Sequence, residues 1–250
     1  MELTEEHYWG NLGYWESHDD YLNAAKALAR LVGDAAELHS NQEILDLGSG
    51  YGAQLHLWKS HYRVESIQTF EPDKAASKHA QSYIAGSDIS GIRWLPSAKS
   101  AADGLDAVVS VDAAYHIPNR RALWQDLVGR LKPSGRLALT DLVLLERAHT
   151  RTHPLQKISS IFEIPAENIM TQQVYREELE GIGFKSVEFQ DLSSAVFGGF
   201  ARNWKSVLRA HQGRPDASWL KYKLTALAAS QALRWGTPKY VLISAKKAPA

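Results

Sequence analysis

The sequence predicts an α/β fold built on a mostly parallel sheet, and three observations predict it. From Asn41 to about Ala245, short apolar runs alternate with amphipathic stretches, the order that β-α units produce. The first of these runs, "ILDLGSGYGA" at 44–53, passes straight into glycines at alternate positions. A chain of 250 residues suits one domain with a helical insert, able to bury roughly 70–75% of the unfolded surface in a single core.

Taken in order, "DDYLNAAKALARLV" sets Leu22, Ala25, Leu28 and Leu31 on one face of an N-terminal amphipathic helix. Strands are expected at 43–47, 65–70, 92–95, 105–111 and 135–141. Helices fall between them: about 52–61, from after Pro72 to about Tyr83, and from near Pro118, suited to a first helical turn, to just before "LKPSG". Past Asp141 the rhythm changes. "HPLQKISSIFEIPAEN" spaces Leu155, Ile158 and Phe162 as a short helix; "TQQVYREELEGIGF" opens on a capping threonine and stops at Gly181; "KSVEFQDL" alternates as a strand. Helical patterns return at about 200–212 and 217–234, and "KYVLISAKK" closes the chain as a strand. The last two strands therefore flank a helical excursion of about forty residues, large enough for a lid. The whole of 1–250 reads as one domain: a covering segment (1–40), a ligand-binding core (41–141), a lid region holding strand 6 (142–236) and a final strand with its tail (237–250).

Composition narrows the function. Lysine plus arginine (28) equals aspartate plus glutamate (28), so no overall field draws nucleic acid or an anionic membrane. The absence of cysteine removes disulfides, thiolate nucleophiles and cysteine-held metals. The start, "MELTEEHYWG", is acidic rather than basic-then-apolar, and no run reaches spanning length, so a cytoplasmic protein without membrane insertion is expected. Eight tryptophans and ten tyrosines supply a flat or greasy pocket, although core packing uses the same residues.

Two templates fit the glycine loop. Gly48, Gly50 and Ala53 satisfy the dinucleotide fingerprint, with Glu71 about twenty residues on to meet a ribose, which is the reading of an NAD(P)-dependent oxidoreductase. Asp46 argues the other way, because a carboxylate two residues before the first glycine repels a pyrophosphate. A cationic or zwitterionic cofactor with a ribose suits the stretch better. Gly52 lets the backbone pass close beneath such a ligand.

"ILDLGSGYG", "FEPD" and "LDAVVSVDAAYHIPNRRALWQDLVGRLKPSGRLALTD", in that order, resemble the successive motifs of class I S-adenosylmethionine-dependent methyltransferases. The similarity is greatest to the small-molecule group acting on sugars, sterols, quinones and natural products. It extends to "YWGNLGYW", "YREELEGIGFKSVEFQDL" and "ALRWGTPKYVLISAKK". The resemblance implies a Rossmann-like seven-stranded sheet with helices on both faces, a final antiparallel strand, and S-adenosyl-L-methionine as cofactor. It puts Asp46, Gly48, Ser49 and Gly50 at the methionine end, Glu71 at the ribose, Pro72 beside the adenine, and Tyr14 and Trp15 across the top. Where relatives write Gly-Asp-Ala after the third strand, this chain has Pro96, Ser97 and Ala98, which leaves Ser97 to meet the base without a charge.

For the chemistry, the resemblance sets His116 as general base with Asp141, which ends the fifth strand; capping or lining the pocket is the alternative for His116 and holding the loop for Asp141, while Tyr115 is read as packing on the cofactor's methionine portion or pointing at the substrate, with ordinary packing as its alternative. The expected reaction moves a methyl group to oxygen or carbon of a small hydrophobic or aromatic acceptor; N-methylation of a small amine and a catalytically silent cofactor binder are the alternatives within the fold. Arg202, Lys205 and Arg209 share a helix face and are read either as an anion contact or as a solvated face. His149 and His153 stand four apart without a third ligand, so no metal is expected. Gly198 and Gly199 are read as a lid hinge or a simple turn. Tyr8 is a further aromatic of the covering segment.

Overall fold

The computed structural model describes residues 8–145, 162–210 and 217–249. Among these a seven-stranded sheet runs in the order β3-β2-β1-β4-β5-β7-β6. The strands are β1 (Glu43–Leu47), β2 (Ser66–Phe70), β3 (Ile92–Trp94), β4 (Leu105–Ser110), β5 (Leu131–Val143), β6 (Phe184–Asp191) and β7 (Lys239–Lys247). All neighbours up to β5 are parallel, whereas β7 lies antiparallel between β5 and β6. The expected class and final antiparallel strand are found. Strand order reverses between β1 and β4, and in open sheets the crevice at the carboxyl ends of such a switch point is where ligands bind.

Residue alternation decides which layer each side chain joins. Ile44, Val109, Ala138 and Leu242 enter one hydrophobic cluster, while their neighbours Leu45, Val108, Leu139 and Ile243 enter the other. The first cluster packs under α1 (Tyr21–Ala35), α2 (Ala53–Ser60) and Ile84 of α3 (Lys74–Ala85). Trp124, Leu127, Tyr175 and Leu179 of α4 (Arg120–Arg130) and α5 (Gln172–Gly181) fill the second.

Caps fix where several helices begin. Asp20 accepts from Asn23 N at 2.9 Å, Asp73 from Ala75 N and Ala76 N, and Thr171 from Val174 N. The buried stripe of α1 is Ala24, Ala25, Leu28, Ala29 and Val32; Leu22 and Leu31 from the expected face are only half-buried. Helix α4 starts two residues after Pro118, because Asn119 takes a left-handed φ of 50° and a short 3₁₀ turn occupies Ala114–His116 instead. β5 is longer than expected at both ends, and its pairing with β4 shifts register between Leu105 and Ala107.

The excursion between β6 and β7 opens with a π turn at Ser194–Gly198, followed by α6 (Gly199–Ala210) and α7 (Ala217–Trp235). The short helix expected around Leu155 and Ile158 lies outside the described residues, as do His149 and His153. No described helix is long and apolar enough to cross a membrane.

Candidate active site

The turn from β1 into α2 uses its glycines for separate reasons. Gly48, Gly50 and Gly52 take φ values of 78°, 55° and 97°, in the region where a side chain is disfavoured. A Cβ on Gly48 would also stand 2.3 Å from the Ala113 Cβ, so the loop rests directly on the chain leaving β4. A Cβ on Gly50 would meet nothing within 4 Å, which leaves open space above the loop. Ser49 is 3% exposed, yet its hydroxyl has no hydrogen-bond partner. Such an orphan at a loop of this kind calls for a ligand atom.

Two carboxylates brace that loop. Asp46 is fully buried and faces α2: Gln54 Nε2 donates to both of its oxygens at 2.9 Å and Trp58 Nε1 donates at 2.5 Å. Burial pushes its pKa up to about 7 against those bonds. Both oxygens are thus engaged from beneath, so Asp46 shapes the loop from inside the core. Glu71, at the end of β2, accepts from Gly50 N at 2.8 Å and from Asp73 N at 2.9 Å, tying the glycine loop to the start of α3. Burial pushes its carboxyl up as well.

A third carboxylate, absent from the expected set, stands beside Gly48 at the end of β4. Asp112 holds a left-handed φ of 56° and donates its own amide to Thr140 Oγ1 at 2.7 Å. Its Oδ1 accepts from the Tyr115 hydroxyl at 2.5 Å and the Tyr240 hydroxyl at 3.0 Å, and its Oδ2 accepts from the Leu12 amide at 2.7 Å. Four parts of the chain therefore meet at one residue: the N-terminal segment, the 3₁₀ turn and β7 at its side chain, and β5 at its backbone amide. Burial, and then the Asp112 charge, lifts the Tyr115 phenol well above its ordinary range, so it is a donor rather than a base.

Asp141 has a different partner from the one expected. It is fully buried; Arg120 NH1 donates to its Oδ2 at 2.5 Å, Tyr175 donates at 2.9 Å and Leu142 N donates at 2.7 Å. The guanidinium also stacks 4.2 Å from the centre of the Tyr175 ring. Burial, the largest single influence, pulls Arg120 toward neutrality, and the Asp141 charge and hydrogen bond together with Tyr175 and Glu178 more than offset it. Asp141 is thus saturated by Arg120 rather than paired with His116. His116 is exposed on the 3₁₀ turn, its Nδ1 3.3 Å from the Glu163 carbonyl oxygen, within electrostatic reach of Asp112 and Glu71. Asn168 fixes that turn by donating to the carbonyls of Tyr115 at 3.0 Å and Ile117 at 2.8 Å.

The other expected residues fall around this crevice with varied partners. Pro72 is exposed at the head of α3. Ser97 Oγ accepts from Lys99 N at 3.1 Å and so caps a 3₁₀ turn in which Ala98 is buried, leaving the hydroxyl proton of Ser97 to donate. Tyr14 bonds to Glu16 through its hydroxyl, turned toward the exposed side of the segment. Trp15 is buried, donates to the Leu12 carbonyl at 2.8 Å, and abuts α6: a Cβ on Gly199 would lie 2.0 Å from the Trp15 Cβ. Gly199 is accordingly a site of close approach between the N-terminal segment and α6. Tyr8 stacks on Tyr83 of α3 at 3.9 Å. Arg202 and Lys205 are exposed, and the side chain of Arg209 lies outside the described residues.

Sequence reasoning missed Asp112, Arg120, Asn168, Tyr175 and Tyr240. Arg120 stands in the quoted "HIPNRR" stretch, and only its total burial marks it out.

The crevice fits a cationic methionine-derived nucleotide: an orphaned hydroxyl at Ser49, open space over Gly50, a carboxylate at Glu71, and Asp112 beside the loop. A pyrophosphate would meet these charges with repulsion. Residues 45–139, which include the glycine loop, match the family described as "Methyltransferase domain". The chain is 26% identical to the erythromycin 3''-O-methyltransferase of Saccharopolyspora erythraea, over 98% of this chain and 86% of that protein. Among solved structures, a putative sarcosine dimethylglycine methyltransferase from Galdieria sulphuraria superposes with a TM-score of 0.80 at 18% identity, covering 97% of this chain and 96% of that one. A mycolic acid cyclopropane synthase complexed with S-adenosylhomocysteine and CTAB gives 0.78 at 20% identity, covering 97% and 93%.

Proposed function

We propose, from the premise that this chain is a class I S-adenosylmethionine-dependent methyltransferase, that it methylates a hydroxyl oxygen of a small acceptor with His116 as general base. One observation carries the choice of atom: the likeness to an O-methyltransferase runs along 98% of this chain and 86% of that relative. When bound, S-adenosylmethionine supplies a methyl group made electrophilic by its sulfonium. The rest falls to the protein. Glu71 accepts from the ribose, Ser49 supplies the hydroxyl that has no partner, and Gly48 and Gly50 keep the loop low enough for close approach. Trp15 packed on Gly199 closes the covering segment against the lid and keeps water from the displacement.

His116 suits proton removal because of where its turn holds it. A proton on Nδ1 donated to the Glu163 carbonyl leaves Nε2 as the nitrogen that takes the acceptor proton. Asp141 and Tyr115 then act as positioning residues. Asp141 holds Arg120, whose guanidinium reaches the Asn168 carbonyl at 3.4 Å; Asn168 in turn holds the His116 turn. Alignment of acceptor, methyl and sulfur supplies most of the acceleration, up to roughly 7–11 kcal/mol.

The test uses methyl-labelled cofactor with matched panels of hydroxylated and aminated small molecules, the site of the label being read by NMR. Label on oxygen, with His116→Ala turning over more slowly than the wild type at every pH tested, is the expected result. Label on nitrogen or carbon, or an undiminished His116→Ala enzyme, overturns the proposal.

A further inference from the structure

Asp112 is a crevice carboxylate with an unusual backbone and an unusual set of partners. Its backbone is left-handed at φ 56°, a conformation that Asp tolerates better than most side chains but that still costs free energy. Its carboxylate has three hydrogen-bond donors, Tyr115, Tyr240 and Leu12 N, and among the described residues no Lys or Arg forms an ion pair with it. Burial pushes the Asp112 carboxyl up, while its three donors and nearby His116 act in favour of the charged form; neutral donors stabilise that charge without cancelling it. The next residue, Ala113, lies directly against Gly48, which sets this charge at the β1–β4 switch point. The same carboxylate holds Leu12, and Leu12 leads to the Trp15 that meets the lid.

We propose that Asp112 is a specificity-determining counter-charge, favouring the cationic sulfonium over the neutral thioether left after methyl transfer while anchoring the covering segment through Leu12. This rests on the function proposed above. Its consequence is directional: the charge that holds the cofactor loses its partner once the methyl group has gone, and release of the thioether product is eased.

Calorimetric titration of the full chain with S-adenosylmethionine and with S-adenosylhomocysteine tests it, alongside hydrogen exchange of the segment containing Leu12. In Asp112→Asn the preference for the sulfonium form relative to the thioether should fall about tenfold, the size expected for one partly screened charge. The Leu12 segment should exchange faster without any ligand. Asp112→Gly, which also relieves the left-handed backbone, should reproduce the affinity change if the asparagine variant folds poorly. Tyr240→Phe, which removes one donor and keeps the carboxylate, should leave the preference within about twofold. Equal weakening of both ligands in Asp112→Asn and Asp112→Gly overturns the counter-charge and leaves the methyltransferase reading intact. A wild-type protein that binds neither ligand overturns that reading and this one with it.

Discussion

Asp112, two residues past β4, and Asp141, near the end of the neighbouring parallel β5, lie toward the same edge of the sheet, yet their surroundings differ in kind. Asp141 is completely buried and meets a guanidinium that is itself 1% exposed, a stacked phenol and a backbone amide. Asp112 is partly buried and meets two phenols and an amide, with no cation. A buried charge with a full set of opposite and dipolar partners is a structural clamp; here it holds the turn that presents His116. Asp112, held by neutral donors beside the glycine loop, has no counter-ion of its own among the described residues. Position at a carboxyl edge is shared by both, so position alone does not assign function, and the partner set does.

The comparison breaks first at Arg120. Arg120→Ala leaves Asp141 buried without its counter-ion and should cost about 3–5 kcal/mol in urea unfolding, more than Asp112→Asn, which leaves no cation stranded. Equal costs for the two would erase the distinction. Removing the imidazole sharpens the functional half: His116→Ala should lower kcat by about 10²-fold with an unchanged melting temperature, since the side chain is exposed. Gly199→Ala tests the link from Asp112 through Leu12 and Trp15 to the lid. Its Cβ lands 2.0 Å from the Trp15 Cβ, so a destabilisation of about 1–3 kcal/mol and weaker cofactor binding are expected by thermal denaturation and titration.

The last effect is a pH dependence and concerns Asp46, the buried carboxylate with no cation among its hydrogen-bond partners. Its folded pKa is raised to about 7 from an ordinary value of 3.8, so the folded state holds a proton that the unfolded chain has released. Stability from this group is therefore full below about pH 4 and declines as pH rises toward about 7. Asp46→Asn should flatten that decline in urea midpoints measured across the same window. A wild-type midpoint that rises through it would contradict the assignment.

Strand β1 was legible to the residue, and the end of α5 at Gly181 also, because alternation, a capping threonine and a terminal glycine act over a few residues. The start of α4 was not. Pro118 suits a first turn, but Asn168, arriving from fifty residues on, takes up the carbonyls of Tyr115 and Ile117 and holds a 3₁₀ turn there instead. The site shows the same division. Gly48, Gly50 and Glu71 were legible because a loop and the following strand carry them in fixed order; Tyr240 joins Asp112 from 128 residues away, a distance no spacing rule crosses.

The sequence by itself determined the alternating layers, the glycine loop and the family of chemistry, since these rest on periodicity and on backbone freedom, properties of short stretches. Tertiary structure alone decided which carboxylate each cation and phenol would serve. Asp46, Asp112 and Asp141 are all acidic residues at or beside strand ends; what separates them is desolvation and the partners that distant segments bring, and those exist only once the sheet has closed.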